Sequence, residues 1–257
     1  MLFKNTIFSL LCLFPQPKNV ANILTYHTIS DSKVYNGVSP QSFKEQMQLL
    51  RQRFNPVSLQ ELSQMYENGI IKPKTVSVTL DDGFMDSYTH AFPILKKFKI
   101  PATIFIETCH IGLESENQKM MFPMMGKAEL KKLSQTKLVS IQPHTVHHPR
   151  LTKISDNEIF VELVQSKNYL EKLLNVECYH FAYPYGMQDK RVQKVVHKTG
   201  IKYAYTTKEG FIKSTDEPLR LNRNSMNRTI SLKQFEFICL FGKPTLRRLT
   251  RSDANYR

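Results

Sequence analysis

The stretch Thr75-Val-Ser-Val-Thr-Leu80 decides the fold, and it is followed at once by Asp81, Asp82 and Gly83. Its β-branched, largely apolar composition predicts a buried strand. The Asp-Asp-Gly triplet then ends the strand, because Asp and Gly favour turns. Neighbouring side chains of an extended segment point to opposite sides, but a turn lets both carboxylates approach one site from different angles. Read alone, the triplet also fits a turn that is exposed to solvent.

Around this stretch, short β-like runs alternate with helical runs along most of the chain. The predicted strands cover residues 22–26, 75–80, 102–106, 139–142, 179–183, 203–206 and 219–221. Such alternation argues for parallel β/α units. About seven strands fit a single closed or partly closed α/β barrel that resembles a TIM barrel. Functional side chains in such barrels gather at the C-terminal ends of the strands.

Two histidines lie four residues apart in the segment His144-Thr-Val-His147-His148, which follows another predicted strand. One turn of helix or a compact loop would bring the rings of His144 and His148 to one side, whereas His147 would point elsewhere. One carboxylate with two imidazoles suits zinc or a similar divalent ion and leaves a coordination position open. The second carboxylate could then act as a base for a water molecule. Alone, the histidines also fit an exposed cluster, but together with the two aspartates they predict a metal-assisted hydrolase.

A third signal is Pro184-Tyr185-Gly186, a tight-turn sequence that follows the predicted strand 179–183. A backbone N–H in this turn could face a developing oxyanion, although the segment by itself also fits an ordinary turn. His27 stands at the end of the first predicted strand in the same way. We therefore expect these residues to share one end of the barrel.

The charge of the chain is unbalanced. Its 257 residues include 36 Lys and Arg against 22 Asp and Glu, a formal net charge of +14. This surplus favours an anionic partner, such as a phosphate-bearing glycolipid, an acidic membrane surface or nucleic acid, but it also fits a protein with many surface lysines. No nucleic-acid-binding motif accompanies it, so we expect no nucleic acid partner. The four cysteines form no Cys-x-x-Cys pair, which favours a reducing compartment.

The chain divides into an N-terminal apolar segment (1–21), a main domain (22–241) and a basic C-terminal tail (242–257). The apolar run 7–14 is too short to span a bilayer, which takes about 20 residues. It would pack on the domain or lie in a membrane interface. The apolar helix and arginines near the C-terminus fit either an interfacial anchor or a core helix with a solvated tail. We expect a cytoplasmic protein with peripheral contact at the anionic inner face of the cell membrane.

In order and spacing these segments resemble the polysaccharide deacetylase family, also known as the NodB-homology domain or carbohydrate esterase family four. The resemblance runs from about residue 22 to 237 and is strongest over 76–106. Leu24-Thr-Tyr-His27 and Phe181-Ala-Tyr-Pro-Tyr-Gly186 look like one branch of the family. The resemblance implies a distorted (β/α) barrel for 22–241. It also implies removal of an N-acetyl or related acyl group from an amino sugar of a polysaccharide, oligosaccharide or glycolipid.

The resemblance further implies a role for each matching residue. Asp81 would be the base, and Asp82, His144 and His148 would be the ligands of a divalent metal, with Zn²⁺ as the expected ion. The backbone amide of Tyr185 would line the oxyanion hole. The substrate would be an amino-sugar-containing glycan or a lipid-linked sugar.

Two features depart from the family pattern. Ala182 stands where the family often has an arginine, and no histidine follows His197, although the family often has a histidine acid near the end of the domain. His27 is our candidate acid, with a structural histidine as the alternative. Arg220 and Arg223 could supply the missing charge near the base or bind an anionic substrate. These departures leave a catalytically impaired carbohydrate-binding barrel as the alternative function.

Overall fold

The computed structural model of the protein describes residues 17–32, 37–113 and 122–243. The strands are β1 (Val20–Tyr26), β2 (Asn55–Pro56), β3 (Thr75–Leu80), β4 (Ala102–Ile106), β5 (Val139–Pro143), β6 (His180–Ala182), β7 (Tyr203–Tyr205), β8 (Ile212–Lys213) and β9 (Asn224–Ser225). The α-helices are α1 (Pro40–Arg53), α2 (Leu59–Glu67), α3 (Phe92–Phe98), α4 (Lys127–Ser134), α5 (Asp156–Leu174), α6 (Lys190–Lys198) and α7 (Leu232–Phe241). Most of the predicted N-terminal segment and C-terminal tail, residues 1–16 and 244–257, lies outside the described residues.

Two sheets form the wall of the barrel, and within the described residues no strand ladder joins one sheet to the other on either side. β5, β4, β3 and β1 pair side by side in parallel, and β1 continues to β9 in parallel and to β8 in antiparallel pairing. β6 and β7 pair with each other in a separate two-stranded sheet. Within the described residues no strand pairing joins β5 to β6, and we call this opening the seam. The predicted distorted barrel is thereby confirmed.

Strand β3 lies inside the larger sheet, and its sequence suits a fully buried position. All six of its residues are buried, as expected for a parallel strand that is covered on both faces. Val76, Val78 and Leu80 belong to the main apolar core, which packs the sheet against the helices. On the opposite face, Thr79 Oγ1 lies 3.1 Å from Thr25 Oγ1 of β1. The inner face of β3 is therefore polar, and it leads directly to Asp81.

Four of the seven α-helices in the described residues, α1, α2, α5 and α7, begin at a serine cap. Ser58 Oγ accepts the Glu61 N–H at 3.1 Å, and the Glu61 carboxylate accepts the Ser58 N–H at 2.8 Å. Ser155 and Glu158 repeat this reciprocal arrangement at the start of α5. Such caps satisfy backbone donors that the first helical turn leaves free. In the described part of the chain, no helix has both the length and the apolar character needed to cross a bilayer.

Two predicted elements differ from the structure. The helix predicted from residue 87 starts with a π turn over Ser87–Ala91, in which the Phe92 N–H donates to the Ser87 carbonyl. Pro93 has no N–H for the usual α-helical bond, and the wider turn accommodates it. The strand predicted at 219–221 is wrong, because Leu221 makes an isolated bridge to Tyr205 instead.

Candidate active site

The side chains that the sequence singled out meet at the C-terminal ends of the strands. Asp81 and Asp82 follow β3, His144 follows β5, Tyr185 follows β6 and His27 follows β1. Because the strands are parallel, these positions share one end of the barrel. The predicted grouping of these five residues is therefore observed, and its geometry decides what each can do.

Asp82, His144 and His148 form a compact cluster of potential metal ligands. Asp82 Oδ1 lies 3.5 Å from His144 Nε2 and 3.9 Å from His148 Nε2. One ligand atom from each of the three residues lies within 4.8 Å of the others. Within the described residues, this is the group of acidic, histidine and cysteine side chains that meets this criterion. The donor set fits a divalent ion with an open coordination position.

Both imidazoles are held in the neutral form that a metal requires. His144 Nδ1 lies 2.7 Å from the Ala182 carbonyl, so Nδ1 carries the proton and Nε2 presents its lone pair toward Asp82. Burial lowers the pKa of His144. Burial, followed by the charge of His144, lowers the pKa of His148 to about 4. The cluster is thus prepared for a cation without first losing protons from its histidines.

Strained backbone accompanies the cluster. Asp82, Thr145, His148 and Tyr185 have φ values of 73°, 70°, 54° and 58°. Left-handed conformations are uncommon for residues other than glycine and concentrate at functional sites. The left-handed turn at Asp82 separates the direction of its side chain from that of Asp81. The sequence allowed either a turn of helix or a compact loop between His144 and His148. The structure shows a compact loop, and this loop brings the two rings together.

Asp81 is buried and paired with Arg223. The terminal nitrogens Nη1 and Nη2 of Arg223 donate to the two carboxylate oxygens at 2.8 and 2.7 Å, a bidentate geometry. Arg223 Nε donates to the Thr206 carbonyl at 3.1 Å. Burial alone raises the pKa of Asp81, but the charge and hydrogen bonds of Arg223 outweigh it and lower the pKa to about 2. Asp81 is therefore ionised at neutral pH.

The two arginines considered in the sequence lie in different environments. Arg223 has 1% of its side chain exposed and contacts protein oxygens, so it supplies charge to Asp81 and does not face an incoming substrate. Substrate binding by Arg223 is therefore not supported by its position. Arg220 is half-exposed, with its Nε 3.6 Å from Glu217. A substrate-binding role for Arg220 stays a prediction.

His27 lies within electrostatic reach of Asp81 and of His148. It is partly buried, and its charge contributes to lowering the pKa of both Asp81 and His148. In the described part of the chain no hydrogen bond to its ring is found. This position keeps His27 as the candidate acid.

Tyr185 borders the cluster through its ring. The residue is 54% exposed, and the centroid of its ring lies 4.6 Å from that of His148 and 5.3 Å from the Arg150 guanidinium carbon. Among the described residues no acceptor meets the Tyr185 N–H. The turn needs glycine at 186, because φ is 69° and a Cβ would lie 2.1 Å from Thr207 Oγ1. The turn therefore leaves a backbone donor at the edge of the cluster.

Glu107 is a residue of the site that the sequence analysis missed. It is buried directly after β4, with Oε1 3.7 Å from His148 Nε2 and Oε2 2.5 Å from His110 Nδ1. Burial and the neighbouring Asp82, with which it shares a hydrogen bond, raise the pKa of Glu107 to about 9. The signal was present in the sequence, since Glu107 is a carboxylate at the end of a predicted strand.

Comparison with known proteins places these features in a family. The family model described as polysaccharide deacetylase matches residues 68–204. The chain is 32% identical over 201 residues to the poly-β-1,6-N-acetyl-D-glucosamine N-deacetylase of Staphylococcus aureus, covering 74% of this chain and 68% of that protein. The corresponding Staphylococcus epidermidis protein is 28% identical over 231 residues, covering 80% and 78%.

Solved structures agree with the fold. The Streptococcus pyogenes deacetylase PplD, determined in complex with acetate, superposes with a TM-score of 0.75 at 28% identity, covering 86% of this chain and 98% of that chain. A polysaccharide deacetylase from Bacillus cereus gives a TM-score of 0.74 at 26% identity, covering 86% and 69%. The chain is accordingly a metal-dependent carbohydrate N-deacetylase, and it belongs to the polysaccharide deacetylase family.

Proposed function

We propose that this chain hydrolyses the N-acetyl groups of a β-1,6-linked poly-N-acetylglucosamine, the polymer for which its staphylococcal relatives are named. We further propose that Asp82, His144 and His148 hold the metal and that the metal is Zn²⁺, which two imidazoles and a carboxylate suit. The observation that carries this proposal is the adjacency of the ligand cluster to the Asp81–Arg223 pair. The proposed base Asp81 and the proposed ligand Asp82 are consecutive residues of the turn that follows β3.

In this mechanism a divalent ion would polarise the amide carbonyl and make a bound water molecule more acidic. Asp81, kept ionised by Arg223, would take the proton of the attacking water. Arg223 fixes the direction of the carboxylate through two hydrogen bonds and cannot itself release a proton. The Tyr185 N–H would donate to the carbonyl oxygen as that oxygen gains negative charge.

The departing amine must receive a proton, because an amide anion is a poor leaving group. A carboxyl group with a pKa of about 2 is a strong acid once protonated, so Asp81 could return the proton it has taken. His27 is the second candidate donor. Turnover that is unchanged in His27→Ala would assign both proton transfers to Asp81.

The test is acetate release from β-1,6-linked N-acetylglucosamine oligomers by chelator-treated protein, before and after Zn²⁺ is restored. We expect release only with the metal, and a loss of at least 100-fold in Asp81→Asn and Asp82→Asn. N-formylated oligomers in a parallel arm would identify the acyl group. Full activity in excess chelator would contradict the metal role. Acetate release would also decide against the catalytically impaired barrel.

For the predicted membrane contact, we propose a groove between α4 and α5 as the docking surface. The groove has a volume of about 390 Å³ and is lined by Lys127, Lys131, Lys172, Tyr169 and Leu173. Among the described residues, no carboxylate lies within ion-pair distance of these three lysines. Unpaired cations beside an apolar floor complement an anionic lipid surface. Such contact would also favour a lipid-linked amino sugar as substrate.

Sedimentation with vesicles of zwitterionic lipid, with and without an anionic lipid, tests this docking. We expect binding to the anionic vesicles that weakens with salt and is reduced in Lys131→Glu/Lys172→Glu. The matched control is Lys194→Glu/Lys198→Glu on α6, which changes the net charge equally. Equal losses in both double variants would leave net charge, and not the groove, as the cause. Location at the inner face of the membrane stays a prediction of the sequence.

A further inference from the structure

A second cavity lies at the end of the barrel opposite Asp81 and the proposed ligands. Its lining includes Ala102, Val139 and His180, which are the first residues of β4, β5 and β6. The start of α2 lines it as well. The cavity, which we call the N-terminal cavity, has a volume of about 350 Å³. This volume is at the lower end of the range for ligand pockets, so it suits a small molecule.

His180 is a buried polar side chain of the N-terminal cavity, with 7% of the residue exposed. Its ring stacks on those of Tyr203 and Tyr205, with centroids 5.3 and 6.0 Å away. Nδ1 lies 2.8 Å from the Tyr205 hydroxyl oxygen. Among the described residues Nε2 has no hydrogen-bond partner, and it is not fully enclosed by protein atoms. Nε2 therefore opens on the cavity that the ring lines.

The Tyr205 hydroxyl decides which nitrogen of His180 carries the proton. Tyr205 is buried, and in the described part of the chain its hydroxyl has no hydrogen-bond partner other than His180 Nδ1. If Nδ1 carried the proton, the phenolic hydrogen would have no acceptor, although buried donors are nearly always paired. The hydroxyl therefore donates to Nδ1, and the proton of the neutral ring lies on Nε2. Burial lowers the pKa of His180 to about 4, which agrees with a neutral ring.

The first turn of α2 adds backbone donors to the N-terminal cavity. Of the described residues of this helix, Leu59 and Gln60 line the cavity together with the cap Ser58, so the helix meets it with its N-terminus. The capping box pairs the N–H groups of Ser58 and Glu61. Among the described residues no acceptor is found for the N–H groups of Leu59 and Gln60. Such free N–H groups, together with the helix dipole, favour a negative charge at this point.

We propose that the N-terminal cavity binds a small anion through carboxylate or phosphate oxygens, which accept from the Nε2–H of His180 and the first-turn N–H groups of α2. The charged side chains of the lining, Lys137 and Glu177, are both exposed and offset each other, so the buried donors select the ligand. A cation or an apolar molecule would leave these donors without acceptors, which is unfavourable. The site is separate from the ligand cluster and does not depend on the proposed function.

The experiment is an NMR titration of the full chain with inorganic phosphate and, in a second arm, with acetate, at constant pH and ionic strength. We expect saturable shifts of the Leu59 and Gln60 amides and of the His180 Nε2–H signal. The arm with the tighter binding distinguishes a phosphate from a carboxylate ligand. Because signals are assigned to residues, an anion that binds at the ligand cluster would shift Asp82 and His148 instead.

The matched control within the same protein is the start of α5. Ser155 and Glu158 form the same capping box there, but this helix does not line the N-terminal cavity. The first-turn amides of Asp156 and Asn157 should therefore show no saturable shift in either arm. Equal shifts at the starts of α2 and α5 would reveal weak anion attraction common to helix N-termini and would overturn the proposal.

The variant His180→Phe keeps a ring stacked on Tyr203 and Tyr205 but removes the donor. It should weaken anion binding by about 10–100-fold, which is the contribution of a hydrogen bond to a charged group. Lys137→Gln, at an exposed position, should weaken binding by less than about fivefold. Wild-type affinity in His180→Phe would contradict the proposal. Should this variant not fold, the wild-type His180 signal still decides, because a proton found on Nδ1, or an Nε2–H signal that neither anion shifts, would overturn the site.

Discussion

Arg223 is among the largest side chains that are fully buried in the described part of the chain. It pairs with Asp81 and lies over the Phe105 ring, with its guanidinium carbon 5.6 Å from the centroid. Ala182 occupies the position where the resemblance leads one to expect an arginine, and Arg223 reaches the same base from a later segment. Asp81 thus has an arginine partner in the folded protein, although that arginine is not at position 182 of the sequence.

We predict that Arg223→Met destabilises the protein by about 3–5 kcal/mol, because it leaves a buried carboxylate without its partner. The pKa of Asp81 should rise, since burial would no longer be opposed, and acetate release at neutral pH should fall. Arg220→Met, at a half-exposed position, should change stability by less than about 0.5 kcal/mol. Denaturant unfolding and the rate–pH profile measure both effects.

Should Arg223→Met not fold, Arg223→Lys keeps the charge and removes the bidentate grip. The stabilisation from the wild-type pair has a defined pH range. Because the folded pKa of Asp81 is depressed, this stabilisation is present above about pH 4 and is lost as the pH falls toward 2. Arg223→Lys with wild-type stability and turnover would show that the geometry of the pair is unimportant.

The pKa of Asp86 is raised, whereas that of Asp81 is lowered, so the two residues change stability with pH in opposite directions. Its Oδ2 accepts the Ile29 N–H at 3.0 Å, and burial raises its pKa from 3.8 to about 6. Between these values the folded state binds a proton that the unfolded state does not, so stability falls as the pH rises through this range. The shift corresponds to about 3 kcal/mol. Asp86→Asn should remove this contribution.

Denaturant unfolding of wild type and Asp86→Asn at pH 4 and pH 7 measures the difference. The variant should gain about 2–3 kcal/mol relative to wild type between these pH values. Other titrating groups are common to both proteins and cancel in the comparison. Parallel pH dependence in the two proteins would count against a raised pKa at this position.

At the scale of the elements, the turns after the strands determine the site. The turn after β6 requires glycine at 186, because a Cβ would lie 2.1 Å from Thr207 Oγ1 and 2.5 Å from the Thr207 backbone nitrogen. Gly69 has a similar φ of 72° but nothing within 4 Å of its Cβ position. An added Cβ would therefore meet both backbone strain and steric overlap at Gly186, but backbone strain alone at Gly69.

We predict that Gly186→Ala destabilises the protein by at least about 2–4 kcal/mol, from strain plus overlap with Thr207. Gly69→Ala, which brings strain alone, should lose about 1–2 kcal/mol. Gly186→Ala should also reduce acetate release, because it displaces the Tyr185 N–H. Equal stability of the two variants in thermal unfolding would remove the steric part of this explanation.

The long elements could be predicted from sequence because their local signals are strong. The β-branched run of β3 and the serine caps of α2 and α5 are examples. Short β8 and β9 have two residues each, too few to produce a periodic pattern. The π turn before Pro93 depends on how a chain accommodates a missing donor within a helix, and helical spacing alone does not reveal it.

The site was predictable wherever a residue carried its own local signature. Asp82 and His148 stand beside other functional residues in short motifs, so the sequence identified them. Glu107 stands alone in the sequence, and its place in the site comes from contacts with the nearby His110 and with Asp82 and His148 of two other segments. Arg223 was found from a missing charge, but its bidentate contact with the base depends on the tertiary fold.

At the scale of the whole molecule, metal binding and folding are linked. The proposed ligands follow β3 and β5, so an ion bound there would favour the folded arrangement of both strands. We predict that chelation lowers the melting temperature of wild type. An ion at about 1,000 times its dissociation constant stabilises the folded state by about 4 kcal/mol, and chelation removes this stabilisation. Asp82→Asn should melt at the same temperature with and without chelator. A wild-type melting temperature unaffected by chelator would argue against this linkage.

His144 and His148 differ in one respect, because His144 also makes a hydrogen bond across the seam. Across the seam, the Gln142 side chain accepts the His180 N–H at 3.0 Å, and His144 Nδ1 donates to the Ala182 carbonyl at 2.7 Å. His144 thus links the part of the barrel that carries the proposed ligands to the part that ends in Tyr185. Loss of His148 would remove a proposed ligand, which a high concentration of metal could partly offset. Loss of His144 would remove a proposed ligand and also one of these two hydrogen bonds across the seam, and added metal would not replace that hydrogen bond.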